Sequence, residues 1–245
     1  SNTTDVTIRL KGDGYAMEPD PIDVVLVIDR SGSMKGQRIA DAKSAAKTFV
    51  SKMNSAQDKI GLVSYSNDAS CDLPLAYVYS EVNNTIDGLK IGVYTATRKA
   101  LYIAILEMIT NKSSNSDAVQ AVILMSDGEY NYYGDPLARG QGDTKRVNTG
   151  GEKYTYFFNR FPNGTSQPSE RLSIYAKDND IRLYMISFSD DIKEGGPTWK
   201  TMDILAEETG GKHYHAPTGD DLARAYANIA GELKTEAGVD TDMTI

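Results

Sequence analysis

The segment that most constrains the fold is the run Ile-Asp-Val-Val-Leu-Val-Ile at positions 22–28. So long an apolar run, with little alternation of polar and apolar residues, is typical of a strand covered on both faces. Such strands occur in parallel sheets that carry helices on each side. The run therefore predicts an α/β protein built on a largely parallel sheet.

Helix-like and strand-like segments alternate along most of the chain after this run. Apolar residues recur at helical spacing in residues 37–54, 97–109, 170–178, 198–209 and 219–233. Further strands are predicted at residues 60–65, 71–77, 119–125, 182–188 and 212–215. Pro74 cannot donate a backbone hydrogen bond, which places strand 71–77 at a sheet edge. The alternation predicts a doubly wound, mostly parallel central sheet with helices on both faces.

Three regions lie outside this alternating pattern. Residues 130–168 form an insertion rich in Gly, Asn and Tyr, far longer than the ~4–6 residues of an ordinary connection. Residues 1–20 are predicted to be an N-terminal extension with one extra strand, at residues 6–10. Residues 235–245 are a C-terminal tail with a second β-prone fragment. We hypothesise that both ends belong to a β-rich host domain and that residues 21–234 form the α/β domain.

The composition excludes several classes of partner. A net charge of −8 disfavours nucleic acid and anionic membrane surfaces, because like charges repel. The longest apolar run falls far short of the ~20 residues that cross a bilayer, so no direct membrane insertion is expected in this segment. Cys71 is the single cysteine, and an intrachain disulfide is therefore impossible.

Oxygen-bearing side chains cluster at three predicted strand or helix boundaries. The clusters are Asp29, Ser31 and Ser33 after the first strand, Thr95 and Thr97 before helix 97–109, and Ser126 and Asp127 after strand 119–125. Ligands of doubly wound sheets bind at the carboxyl ends of the strands. Hydroxyl and carboxylate oxygens are ligands for Mg²⁺, Mn²⁺ or Ca²⁺ rather than for zinc or copper. The three clusters therefore predict a metal site at the carboxyl ends of the strands.

The pattern Asp29-x-Ser31-x-Ser33, with Thr95 and with Asp127 in Leu-Met-Ser-Asp-Gly-Glu, resembles the metal-ion-dependent adhesion site of von Willebrand factor type A domains. The resemblance covers roughly residues 21–233. It implies that Mg²⁺, or Mn²⁺ or Ca²⁺ in its place, is held by Asp29, Ser31, Ser33, Thr95 and Asp127. It also implies that the hydroxyls touch the metal, that one or both aspartates act through water, and that a partner's carboxylate completes the shell.

The physical reason for such a ligand set is charge. A cation held mainly by neutral hydroxyls keeps much of its positive charge and still attracts an outside carboxylate. The context of Thr95 departs from the family, which often has two glycines before the threonine; here Val93 and Tyr94 precede it. Thr97 is the alternative third ligand.

Other interpretations of these residues are weaker. Ser33 alone could cap the helix at residues 37–54, because serine is a common N-cap. His213 and His215, the two histidines of the chain, would share one face of a short strand, and a surface strand is the simplest interpretation. Ser-Gly-Ser-Met-Lys-Gly lacks the spacing of a phosphate-binding loop. Since no nucleophile–base pair lies near the motif, the chain is not expected to be an enzyme.

The sequence therefore predicts a metal-dependent adhesion module that binds a protein or other ligand presenting a carboxylate. The alternative is a subunit of an intracellular multi-protein assembly, such as a metal-chelatase-type machine. The tyrosine-rich insertion and the Asn-x-Ser/Thr triplets at Asn83, Asn111 and Asn163 favour an extracellular or cell-surface location, and the cytoplasm is the alternative.

Overall fold

The computed structural model describes residues 18–115, 117–128 and 170–238. The strands in chain order are β1 (Ile22–Asp29), β2 (Lys59–Tyr65), β3 (Ala69–Ala76), β4 (Val119–Ser126), β5 (Ile181–Ser187) and β6 (His213–His215). The helices are α1 (Gln37–Lys52), α2 (Tyr79–Gly88), α3 (Thr97–Asn111), α4 (Leu172–Lys177), α5 (Pro197–Glu207) and α6 (Gly219–Glu236). A short 3₁₀ turn, Gly32–Met34, lies between β1 and α1.

Within the described ranges these strands form one sheet in the order β3-β2-β1-β4-β5-β6. Strand β1 pairs in parallel with β2 and β4, and β5 pairs in parallel with β4 and β6. Strand β3, which contains Pro74, is antiparallel to β2 and lies at the edge. The predicted doubly wound, mostly parallel sheet and the edge position of β3 are both confirmed.

Strand β1 lies at the centre of two hydrophobic cores, one on each face of the sheet. Val24, Leu26 and Ile28 face the core formed with α1, α2 and α6. Val25 and Val27 face the core formed with α3, α4 and α5. Every residue of β1 is buried, which explains why this segment shows no polar–apolar alternation.

Helix α2 lies in the described part of the chain and was not predicted from the sequence. It buries Val82 and Ile86, one apolar pair at i and i+4, and its other positions are half-buried or exposed. A single pair is too short to establish a helical period. The helix is therefore held by packing against the first core rather than by a strong local pattern.

The segment before β1 and the segment after α6 lie beside each other. The backbone N–H of Asp20 donates to the carbonyl of Ala237 at 2.9 Å, just before β1 begins and just after α6 ends. The strand predicted at residues 6–10, the insertion at 130–168 and the tail fragment lie outside the described residues. Among the helices that are described, none combines the length and the apolar character needed to cross a membrane.

Candidate functional site

The loops that follow β1 and β4 leave the sheet side by side. The two strands are parallel neighbours, and Ile28 pairs with Met125 at their carboxyl ends. Asp29 is the last residue of β1, and Asp127 directly follows β4. The sheet topology therefore brings together two acidic residues that are far apart in the sequence.

A continuous set of hydrogen bonds joins four of the five predicted ligands. The Ser31 N–H donates to Asp29 Oδ1 at 2.8 Å, and the Ser126 hydroxyl donates to Asp29 Oδ2 at 2.9 Å. The hydroxyl oxygens of Ser31 and Ser33 lie 3.0 Å apart. Ser33 in turn donates to Asp127 Oδ1 at 2.7 Å. Two carboxylates and two hydroxyls thus form one compact cluster of oxygens.

Three members of the cluster are buried and the fourth is exposed. Asp29, Ser31 and Asp127 are buried, whereas Ser33 is exposed. Ser33 does not cap α1: the N-cap is Gly36, with no side-chain capping bond. Gly36 has φ 86°, a conformation that favours glycine, so the capping interpretation of Ser33 is wrong. The Ser33 hydroxyl faces the acidic cluster instead.

The loop that carries Thr95 is tied to the loop that follows β1. The Gly92 N–H donates to the Arg30 carbonyl at 2.7 Å, and the Gly32 N–H donates to the Val93 carbonyl at 3.1 Å. These backbone bonds hold Thr95, which is buried, at the same edge of the sheet as the serines.

Thr97 lies at the first position of α3, two residues beyond Thr95. Its hydroxyl oxygen is buried and has no hydrogen-bond partner among the residues that the structure describes. Such an oxygen is suited to accept a ligand or a water. Both threonines therefore stay candidates for the third hydroxyl ligand.

The electrostatics of the cluster favour a cation. Burial raises the pKa of Asp29 to about 7, and the nearby Asp127 carboxylate adds to the effect. Burial likewise raises the pKa of Asp127, although hydrogen bonds from Ser33 and Arg38 act in the opposite direction. Two buried carboxylates at close range repel each other, and a cation between them relieves both the repulsion and the desolvation.

The donor set fits a hard divalent cation. It consists of carboxylate and hydroxyl oxygens without sulfur or imidazole, which is the chemistry that Mg²⁺ or Mn²⁺ selects. The residues that would hold the ion are Asp29, Ser31, Ser33, Asp127 and one of the two threonines.

Arg38 is a residue of this site that the sequence did not reveal. Its Nη1 lies 2.9 Å from Asp127 Oδ2, and its Nη2 lies 3.4 Å from the Ser189 hydroxyl and 3.7 Å from Asp191 Oδ2. Arg38 stands in the first turn of α1, where a charged residue is ordinarily a solvated surface group. Nothing in the local pattern distinguishes it from such a group.

The two histidines meet at a single hydroxyl. His213 Nε2 and His215 Nδ1 lie 3.0 and 3.1 Å from Ser187 Oγ, and His213 Nδ1 lies 2.6 Å from Asp203 Oδ1. The predicted surface strand is present as the edge strand β6, which is half-buried to exposed, although the His213 side chain itself is only 3% exposed. The hydrogen bonds run from carboxylate to imidazole to hydroxyl, as in a catalytic triad, through Asp203, His213 and Ser187. Ser187 is fully buried, however, and is out of reach of a substrate. This network binds β5, β6 and α5 together.

The fold and the site together define a class of protein. The family model of the von Willebrand factor type A domain matches residues 23–227. The chain therefore belongs to the von Willebrand factor type A domain family, as its Asp-x-Ser-x-Ser pattern predicted.

Relatives and solved structures extend this comparison. The chain is 24% identical over 231 residues to a UPF0353 protein of Mycobacterium bovis (strain BCG / Pasteur 1173P2). The match covers 87% of the chain but 61% of that protein, so the chain spans less than two thirds of this relative's length.

The solved structures show the fold. The vWF domain of the type V pili tip protein Mfa5 from Porphyromonas gingivalis has a TM-score of 0.65 at 19% identity, over 94% of this chain and 99% of that one. The pilus adhesin SpaC from Lactobacillus rhamnosus GG has a TM-score of 0.63 at 17% identity, over 89% and 30% of the two chains. The PilB minor pilin from Streptococcus sanguinis has a TM-score of 0.62 at 16% identity, over 93% and 65%.

Proposed function

We propose that this chain is a metal-dependent adhesion module in which Mg²⁺, or Mn²⁺ or Ca²⁺ in its place, links the site to an acidic group of a protein or other ligand. A bound cation supplies the positive charge to which the partner's carboxylate binds. The single observation that supports this most is the hydrogen-bonded cluster of Asp29, Ser31, Ser33 and Asp127, in which two buried carboxylates lie beside an exposed serine.

The chain's own residues determine how a partner approaches. Ser33 is the exposed member of the cluster, and Val93, 62% exposed, lies on the loop that is hydrogen-bonded to the adjacent Gly32. A partner that reaches Ser33 therefore also meets an exposed aliphatic side chain. We expect the bound carboxylate to carry an apolar group next to it, because burial of Val93 would then add to the affinity.

The metal site is tested by calorimetry with Mg²⁺ and Mn²⁺. The double variant Ser31→Ala, Ser33→Ala removes two hydroxyl ligands, and we expect it to lose metal binding while keeping its circular dichroism spectrum. Ser44→Ala, Ser51→Ala is the matched control, since it removes two hydroxyls from the exposed face of α1. Asp29→Ala should also lose the ion. Equal affinity in the wild type and the double variant would overturn the proposal.

The proposed location is the cell surface. Structural neighbours that are a pili tip protein, a pilus adhesin and a minor pilin support it. The competing function is a subunit of an intracellular assembly, in which the same site would dock a partner subunit. Labelling of intact cells with a membrane-impermeant biotin reagent separates the two. Labelled full-length protein supports the adhesion module, and labelling only after lysis supports the intracellular assembly.

A further inference from the structure

We propose that Arg38 is the internal counterion of the candidate metal site and sets the charge that a bound cation presents to a partner. The proposal rests on the proposed function, because it concerns the same site. It assigns to Arg38 a positioning and specificity role that the ligand pattern does not contain.

Arg38 binds Asp127 directly. Arg38 Nη1 donates to Asp127 Oδ2 at 2.9 Å, and Ser33 donates to the other carboxylate oxygen at 2.7 Å. The Asp127 side chain is fully covered, whereas that of Arg38 is 40% exposed. Both oxygens of Asp127 are thus engaged by donors of this chain. That arrangement suits an aspartate that balances charge or acts through water more than one that binds the ion directly.

The guanidinium of Arg38 is also held by the loop after β5. Arg38 Nη2 lies 3.4 Å from the Ser189 hydroxyl and 3.7 Å from Asp191 Oδ2. Ser189 in turn donates to Asp191 Oδ2 at 3.0 Å and accepts from the Asp191 N–H. The loop after β5 therefore contacts one nitrogen of the guanidinium while Asp127 binds the other. This support does not depend on a metal, so the guanidinium can stay in place when the cation binds.

Arg38 changes the net charge of the metal-loaded site. Asp29 and Asp127 bring two negative charges, and Arg38 offsets one of them. Asp191, also near Arg38, has a side chain that is 80% exposed, so solvent screens most of its charge. With a divalent cation, the set of Asp29, Asp127, Arg38 and the ion is left with a net positive charge, which favours a carboxylate partner. Without Arg38 the same set would be neutral. Arg38 therefore weakens the hold on the cation and strengthens the hold on the partner.

These opposite signs define the experiment. Arg38→Gln removes the charge, and Arg38→Lys keeps it. The matched control is Arg182→Gln, because Arg182 is 35% exposed and ion-paired with Glu236. Arg182 lies near the start of β5, at the opposite end of this strand from the candidate site. Calorimetry measures Mg²⁺ affinity. Water-proton relaxation of the Mn²⁺-loaded protein, titrated with acetate, measures access of a carboxylate to the ion.

For Arg38→Gln we expect Mg²⁺ to bind roughly twofold to fivefold more tightly and acetate to bind more weakly by a similar factor, a size typical of a partly exposed charge. Arg38→Lys and Arg182→Gln should stay near the wild type in both measurements. A merely structural role for Arg38 would weaken metal and acetate binding together.

Three results would overturn the counterion role while leaving the metal site intact: both affinities fall, neither changes, or Arg182→Gln matches Arg38→Gln. A wild type that binds no Mg²⁺ would overturn the metal site and the counterion role together. Thermal melting of each variant shows that the compared proteins are folded.

Discussion

Replacing Gly92 by alanine is expected to displace the loop that carries Thr95. A Cβ atom at this position would lie 1.9 Å from Ser66 Oγ and 2.6 Å from Ser66 Cβ, far inside van der Waals contact. Ser66 is buried, and its hydroxyl accepts the Val93 N–H at 2.8 Å. Neither Gly92 nor Ser66 can therefore move without disturbing the hydrogen bond between the loop after β2 and the loop that carries Thr95.

The cost follows from two contributions. Overpacking of a closely packed site costs about 1–3 kcal/mol. Disruption of the hydrogen bonds that the Val93 N–H shares between Ser66 Oγ and Asn67 Oδ1 adds about 1 kcal/mol. Gly92→Ala should thus lower the free energy of unfolding by about 2–4 kcal/mol. Since the displaced loop carries Thr95, Mg²⁺ affinity should fall in the same variant. Adding Ser66→Gly restores the space, so the double variant should be more stable than the sum of the two single changes predicts.

Urea denaturation followed by circular dichroism measures these free energies. Gly88→Ala is the matched control, because nothing lies within 4 Å of a Cβ at the last residue of α2. It should be neutral or stabilising by about 0.5 kcal/mol. A Gly92→Ala protein as stable as the wild type would refute the steric reasoning. Strict additivity with Ser66→Gly would refute the assignment of the clash to Ser66.

The remaining predictions concern stability. Burial lowers the pKa of His213, so folding favours the neutral ring. The neutral ring therefore contributes fully to the free energy of unfolding above pH ~6.5, and this contribution is lost as the pH falls through the lowered pKa of the folded state. Urea midpoints between pH 5 and 7.5 should depend less on pH in His213→Gln, and an unchanged profile would contradict this. Asp58 accepts the Ile22 and Asn54 N–H groups, so Asp58→Ala should cost about 2–4 kcal/mol in the same assay, and a loss below about 1 kcal/mol would contradict that role. Thr218→Ala, which removes the capping box of α6, should lower the melting temperature and cost about 1 kcal/mol, and an unchanged melting temperature would count against the cap.

The fold was predictable where burial imposes a long pattern. Strand β1 is covered on both faces, so its composition alone indicated a parallel sheet. The prediction that β3 lies at an edge followed from Pro74, which cannot donate to a neighbouring strand. Helix α2 was missed because it presents only Val82 and Ile86 to the core.

The candidate site divides in the same way. Asp29, Ser31, Ser33 and Asp127 were predictable because each lies at, or a few residues after, the carboxyl end of a strand, where topology brings loops together. Arg38 was not, since its contact with Asp127 depends on how α1 packs beside β4 and on the loop after β5. The shared hydroxyl of His213 and His215 likewise depends on the pairing of β5 with β6. Contacts between distant segments carry no local signal.

Anomalous diffraction from crystals soaked in Mn²⁺ shows whether a divalent cation binds among these oxygens. We expect an anomalous peak in contact with the hydroxyls of Ser31 and Ser33, between Asp29 and Asp127, and no such peak in Ser31→Ala, Ser33→Ala crystals. Fully soaked wild-type crystals without a peak at this position, or with manganese bound only elsewhere, would contradict metal binding at this site.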